Sequence, residues 1–176
     1  MIVLGVVLAA AMTQAAAIQW KVAAGPMANR LLDYSGNAAF KGTAYLILAS
    51  DAANFTTQLA KDGTIGTLTT YGSTSSFNAV TGATSATLTS SDSLTSSEQS
   101  FALVLVQTVD DKTYYKVSDA MSTTPSANLE TDPVLITWTG NTHFKSEWQT
   151  YSVPEPTSGL LVLLGMAGLA LRRKKA

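Results

Sequence analysis

Apolar and polar residues alternate with period two in several stretches of this chain, and the alternation predicts strands. Residues 18–22 (IQWKV) alternate, residues 43–48 (TAYLIL) are rich in β-forming side chains, and residues 101–109 (FALVLVQTV) are apolar enough to be a strand covered on both faces. Phe101, Leu103 and Leu105 would share one of those faces, and Ala102, Val104 and Val106 the other. Asp110-Asp111 comes next, then residues 112–118 (KTYYKVS), which predicts a β-hairpin closed by the two aspartates. Residues 134–139 (VLITWT) and 148–153 are further strand candidates, with Gly140-Asn141 marking a turn between them. One segment has a different period. SDAANFTTQLAKDG puts Ser50 or Asp51 at an N-cap, Phe55 and Leu59 one turn apart on a common face, and Gly63 at the C-cap. The expected helix crosses an edge or end of the sheets and buries Phe55 and Leu59. The fold class expected is mainly β, a two-layer antiparallel β-sandwich of about seven to nine strands carrying one short α-helix.

Both ends of the chain break this pattern. MIVLGVVLAAAMTQAAAIQW has an apolar stretch over residues 2–12, then small residues, with Ala15-Ala16-Ala17 supplying an A-x-A pattern before Ile18. This predicts a Sec-type signal peptide over residues 1–17, with Ala15 and Ala17 as the cleavage determinants and a mature N-terminus near Ile18. No Lys or Arg precedes the apolar run, so the α-amino group of Met1 is the charge left to orient it. The other end, VPEPTSGLLVLLGMAGLALRRKKA, divides into three. Pro154 and Pro156 fix their own backbone angles and bias Val153 and Glu155 towards extended conformations. Residues 157–171 carry no charge; as a transmembrane helix they would cover ~22 Å at ~1.5 Å per residue. That is short of the ~30 Å hydrocarbon core. Arg172, Arg173, Lys174 and Lys175 follow, a stop-transfer block that resists translocation and whose long side chains snorkel towards the interface. Gly165 and Gly168 would let another membrane helix approach closely.

The Pro-Glu-Pro triplet, the short apolar run and the terminal basic cluster, in that order, resemble the PEP-CTERM sorting signal. The resemblance covers residues 153–176 and says nothing about the rest of the chain. It implies that exosortase, a membrane transpeptidase-like enzyme, recognises Val153, Pro154, Glu155 and Pro156 and removes the tail. It further implies an inner-membrane precursor that has used the Sec export machinery, and a product at the cell surface or in the extracellular matrix of a Gram-negative bacterium. An association with extracellular polysaccharide is part of the same implication. The domain organisation expected is therefore a signal peptide (1–17), a β-sandwich domain (18–152) and a sorting signal (153–176).

Removing both ends changes the charge. The four terminal cations go, leaving 7 basic against 12 acidic residues over 18–155, a net charge of −5 in place of −1. A basic nucleic-acid-binding surface is excluded by that balance. The remaining ~138 residues suffice for one hydrophobic core. No cysteine is present, which removes disulfide scaffolds, thiol catalysis and cysteine-bound metals together. Between residues 64 and 100 roughly half of the positions are Ser or Thr. Such a bias fits either a weakly ordered, O-glycosylated tract or edge strands with hydroxyls on the wet face. Asn54-Phe55-Thr56 matches an N-glycosylation acceptor but lies in the expected helix.

Candidate chemistry is sparse. His143 is the only histidine, so no zinc site of the two- or three-histidine type can form within one chain. No Gly-x-Ser-x-Gly elbow, Gly-rich phosphate loop or EF-hand loop occurs. His143 and Glu147 would share a face only on a helix, whereas their aromatic surroundings suggest a strand or turn. The carboxylate pairs Asp110/Asp111 and Glu130/Asp132 are close in sequence, but glycoside hydrolysis needs two carboxyls facing each other across a cleft. Trp20, Trp138 and Trp148, with Tyr114 and Tyr115, could offer flat faces to sugar rings, although tryptophans in a sandwich of this size usually anchor the core. The expectation is no enzyme, no catalytic residue, no metal and no cofactor: an exported structural or adhesive protein, with a carbohydrate-binding module or weak glycoside hydrolase as the alternative. A concave face with an exposed tryptophan beside paired carboxylates would favour the alternative, and a smooth Thr-covered surface the first reading.

Overall fold

The computed structural model describes residues 15–26, 30–36, 40–91 and 93–152. Its strands are β1 (Gln19–Ala23), β2 (Thr43–Leu48), β3 (Gly72–Thr74), β4 (Leu88–Thr89), β5 (Gln99–Val109), β6 (Lys112–Val117), β7 (Met121–Thr123), β8 (Leu135–Thr139) and β9 (Gln149–Ser152), with helices α1 (Ala52–Asp62) and α2 (Gly140–His143). They form a three-stranded sheet in the order β4-β1-β8 and a six-stranded sheet in the order β3-β2-β5-β6-β9, with β7 also paired to β5. The chain is mainly β, as its alternation predicts.

β5 organises the larger sheet. Its 11 residues are long enough to pair with β2 along one side and with β6 and then β7 along the other. Where the partner changes from β6 to β7, the buried Ser118 keeps β5 bonded: its backbone N–H donates to the Leu103 carbonyl, and its hydroxyl accepts from the Leu103 N–H. The β5–β6 hairpin is closed by Asp110 and Asp111, whose φ values of 49° and 60° supply the left-handed pair that a two-residue turn between right-twisted strands requires.

The two faces of β5 meet different partners. Phe101, Leu103 and Leu105 join Ala44 and Leu46 of β2, Trp20 and Val22 of β1, and Ile136 and Trp138 of β8 in one buried cluster, so the small sheet covers this face of the large one. Ala102 and Val104 point the other way, into a second cluster with Ile47, Tyr115, Phe55 and Leu59. The helix therefore lies on the outer face of the large sheet against β5, β6 and β9, and not across an edge or end. The reason is the second apolar face of β5: a strand without a polar side needs a cover on both. At the start of α1, a 3-10 turn (Ala49–Asp51) replaces a side-chain cap; at its end Gly63 adopts φ 68° and donates its N–H to the Leu59 carbonyl. Tyr151 of β9 packs where a Cβ on Gly63 would stand, so a glycine is needed there for contact as well as for conformation.

An all-antiparallel arrangement does not hold. β1 and β8 run parallel, in register from Gln19 opposite Leu135 to Ala23 opposite Thr139. Parallel neighbours need a long crossover, and here β2 to β7, which include every strand of the larger sheet except β9, lie between them. The turn expected at Gly140-Asn141 is a single helical turn, α2. Among the described residues of the Ser/Thr-rich region, the strands before β5 are the short β3 and β4, and several hydroxyls face inwards. Ser90 Oγ accepts from the Ile18 N–H at 3.0 Å and Thr84 Oγ1 from the Val22 N–H at 3.2 Å, continuing the bonding along the edge of β1 beyond the two-residue β4.

Candidate functional site

Chemistry-bearing residues gather in two places: the last strand with the cleft beside it, and the N-terminal approach to β1. β9 is an edge strand of the large sheet, paired with β6 so that Tyr151 faces Thr113 and Ser152 faces Lys112. Ser152 is also the last described residue. Val153, Pro154, Glu155 and Pro156, with Arg172, Arg173, Lys174 and Lys175, lie outside the described residues, as do the expected membrane helix over 157–171 and the signal peptide up to Gln14. Of the expected signal-peptidase determinants, Ala15 is exposed, whereas Ala17 is only 5% exposed and paired with Ser126.

Just before β9 the chain builds a cleft of 550 Å³ lined by Tyr34, Lys116, Phe144, Lys145, Glu147 and Trp148, among others. Phe144 is buried beneath it. Trp148 stacks on Phe40 at 5.9 Å between centroids, and the Lys116 ammonium lies 5.9 Å from the centre of its ring. Tyr34 stacks on Tyr114 at 3.8 Å. Burial pulls the Lys116 ammonium below the ordinary lysine range, and the Glu147 carboxylate partly offsets this. Lys145 is held 3.5 Å from Asp119 in an exposed ion pair, which contributes little to stability.

The other rings are packing residues. Trp20 and Trp138 are fully buried in the cluster between the sheets. Tyr114 and Tyr115 point to opposite sides of β6: Tyr114 reaches Tyr34, while Tyr115 is buried on the helix side, where desolvation raises its hydroxyl pKa. His143 Nδ1 accepts the Thr139 N–H at 2.8 Å and its carbonyl accepts from the Asp119 N–H, so the histidine ties α2 to the end of β8 and to the link between β6 and β7. Since α2 ends at His143, no helix aligns it with Glu147.

Asp110 and Asp111 sit in the exposed hairpin turn, and Glu130 and Asp132 in an exposed turn organised by Asn128, whose side chain accepts from the Glu130 N–H. Neither pair faces a second carboxylate across the Trp148 cleft, which holds one acid, Glu147. Among the described residues no group of three or more His, Cys, Asp or Glu could hold a metal ion, and no helix is long and apolar enough to cross a membrane. The cleft was not legible in the sequence. Tyr34 and Lys116 reach Trp148 only through folding, and neither stands in a recognisable motif.

Comparison with known proteins bears on the tail alone. Residues 152–174 match the PEP-CTERM protein-sorting motif. No curated protein and no solved structure matches the chain.

Proposed function

With a PEP-CTERM sorting signal beginning at the last residue of β9, and exosortase the enzyme that such a motif implies, we propose that this exported protein serves its cell as a structural or adhesive element of the surface or of an extracellular polysaccharide matrix. The observation that carries the reading is the motif at 152–174. The Sec machinery exports the chain, the inner membrane holds the precursor, exosortase cuts near Val153, Pro154, Glu155 and Pro156, and the β domain is the product. A non-enzymatic role is supported by the carboxylate pairs, which stand in exposed turns and not across a cleft.

The test uses one Gram-negative host with and without its exosortase. The protein recovered from the surface of the complete host lacks the peptide containing Arg172, Arg173, Lys174 and Lys175 by mass spectrometry. In the host lacking exosortase that peptide is retained, in the inner-membrane fraction. Identical products in both hosts would refute the proposal.

A second reading, a carbohydrate-binding module, is favoured by the cleft, where the rings of Tyr34 and Trp148 stand beside the polar groups of Lys116, Ser146 and Glu147. On this reading binding to an acidic polysaccharide is expected in affinity electrophoresis, weakened by Lys116→Ala. Equal mobility with and without polysaccharide rejects it.

A further inference from the structure

The large sheet has six strands and the small sheet three, so loops must cover part of its inner face. Residues opposite each other on paired strands point to the same side. Leu105, in the cluster between the sheets, therefore puts its partner Lys116 on that face, and Gln107 puts Tyr114 there. Residues 30–36 and 40–42 lie over this end. Leu31 and Phe40 are buried, the Phe40 N–H donates to the Leu31 carbonyl at 3.3 Å, and Tyr34 stacks on Tyr114. A Cβ on Gly42 would stand 2.6 Å from the Phe40 ring, so the glycine lets that ring fold back over its own chain.

This packing gives the Trp148 cleft a neighbour. A second cavity, of 410 Å³, is lined by Phe40, Lys41, Ser75 and Phe77, among others. Phe40 joins the two cavities: Trp148 stacks on it at 5.9 Å between centroids, and Phe77 meets it edge-on at 4.8 Å. Each volume falls within the ~300 to 1,000 Å³ of an ordinary small-ligand site, and the aromatic stack places the two side by side.

The charges follow the same line. Lys116 stands 5.9 Å from the centre of the Trp148 ring, and Lys41 lines the second cavity. Lys145 is taken up by Asp119, and among the described residues neither Lys41 nor Lys116 is in an ion pair. Glu147 is the one acid lining either cavity. In a stretch that carries −5 over residues 18–155, two unpaired cations along one aromatic wall reverse the sign locally. Ring faces suit the apolar side of a sugar, Ser75, Ser146 and Glu147 suit its hydroxyls, and the two ammonium groups suit carboxylates. A nucleic acid fits poorly, because a phosphate on every nucleotide would meet the negative remainder of the domain.

We propose that the two cavities are subsites of one groove for a linear, carboxylate-bearing glycan, with Lys116 and Lys41 each taking a uronate carboxylate on either side of the Phe40–Trp148 stack. The proposal rests on the carbohydrate-binding reading above and goes beyond it in ligand length and in the role of Lys41. Linked subsites add their contacts without a second loss of translational freedom, so affinity should rise steeply with chain length.

The test is calorimetric titration of the full chain, solubilised in detergent, with the dimer and the hexamer of galacturonic acid and with neutral maltohexaose. The hexamer should bind at least about tenfold more tightly than the dimer, and maltohexaose more weakly than the galacturonate hexamer. Lys41→Gln should bring the hexamer down to the affinity of the dimer, and Lys41→Arg should restore it. Lys116→Gln should weaken both galacturonate oligomers. The basic tail is common to all variants, and unchanged urea midpoints show that they remain folded. Equal affinities for dimer and hexamer, with Lys41→Gln like wild type, overturn the two-subsite groove and leave the single-cleft reading standing. Maltohexaose bound as tightly as the galacturonate hexamer overturns the assignment to an acidic glycan. No binding of any of the three overturns the carbohydrate reading and this proposal together.

Discussion

Leu103→Ala is expected to lower the stability of the domain by about 2 to 5 kcal/mol, the range for emptying a well-packed leucine site. Leu103 is fully buried at the centre of β5, opposite Leu46 of β2 and bonded on its other side to Ser118. Its cluster takes residues from both sheets, including Trp20 and Trp138, so a cavity there lies between the layers where neither can collapse freely. Against a total stability of ~5 to 15 kcal/mol for an ordinary domain, the loss is large. In urea it appears as a lower midpoint with the slope unchanged. Thr108→Ala on the same strand, at an exposed position, should stay within about 0.5 kcal/mol of wild type. Equal midpoints for Leu103→Ala and wild type would mean that the two sheets do not share this core.

Glu155→Ala is expected to block processing while leaving membrane insertion intact. The substitution removes the only charge between Ser152 and Arg172 and leaves the apolar run and basic block in place. The protein should then accumulate in the inner membrane with Arg172, Arg173, Lys174 and Lys175 attached, and little should reach the surface. Deleting the basic block gives a different defect, because nothing then holds the C-terminus on the cytoplasmic side. The position of β9 sharpens this expectation. Ser152 is still bonded into the sheet opposite Lys112, and the five residues from it to Thr157 span at most ~17 Å when fully extended. On the processing reading proposed above, the enzyme works close against the edge of the large sheet. Fractionation and mass spectrometry of the C-terminal peptide distinguish the two variants. Trimming of Glu155→Ala at the wild-type rate, in a host that possesses an exosortase, would show that Glu155 is not part of what is recognised.

How much of this was readable in advance varies from element to element. The β5–β6 hairpin was, because alternation, two aspartates and renewed alternation are all local signals. The helix was readable from its period and from Gly63, and its buried residues are the expected Phe55 and Leu59. Its place on the sheet was not: an apolar stripe on a helix states that something covers it, without saying what. The parallel partnership of β1 with β8 was equally hidden, since it joins segments from opposite ends of the domain with no turn between them. The hydroxyls of Ser90 and Thr84 were hidden in a composition that reads as solvent-exposed, although they bond the edge of β1.

What the sequence determined by itself are the features acting over a few consecutive residues: strand and helix periods, the Gly63 cap, the hairpin turn and the PEP-CTERM motif at 152–174, whose triplet, apolar run and basic block are contiguous. Tertiary structure alone decided which faces meet, and it brought Tyr34, Lys116 and Trp148 around one cleft. It also decided that Ala16 and Ala17, read in sequence as the end of a disposable leader, are bonded on both edges and buried. The physical reason is the same in each case. A small or polar residue carries little local preference of its own, so its role is set by the partners that the long-range pairing of strands brings beside it.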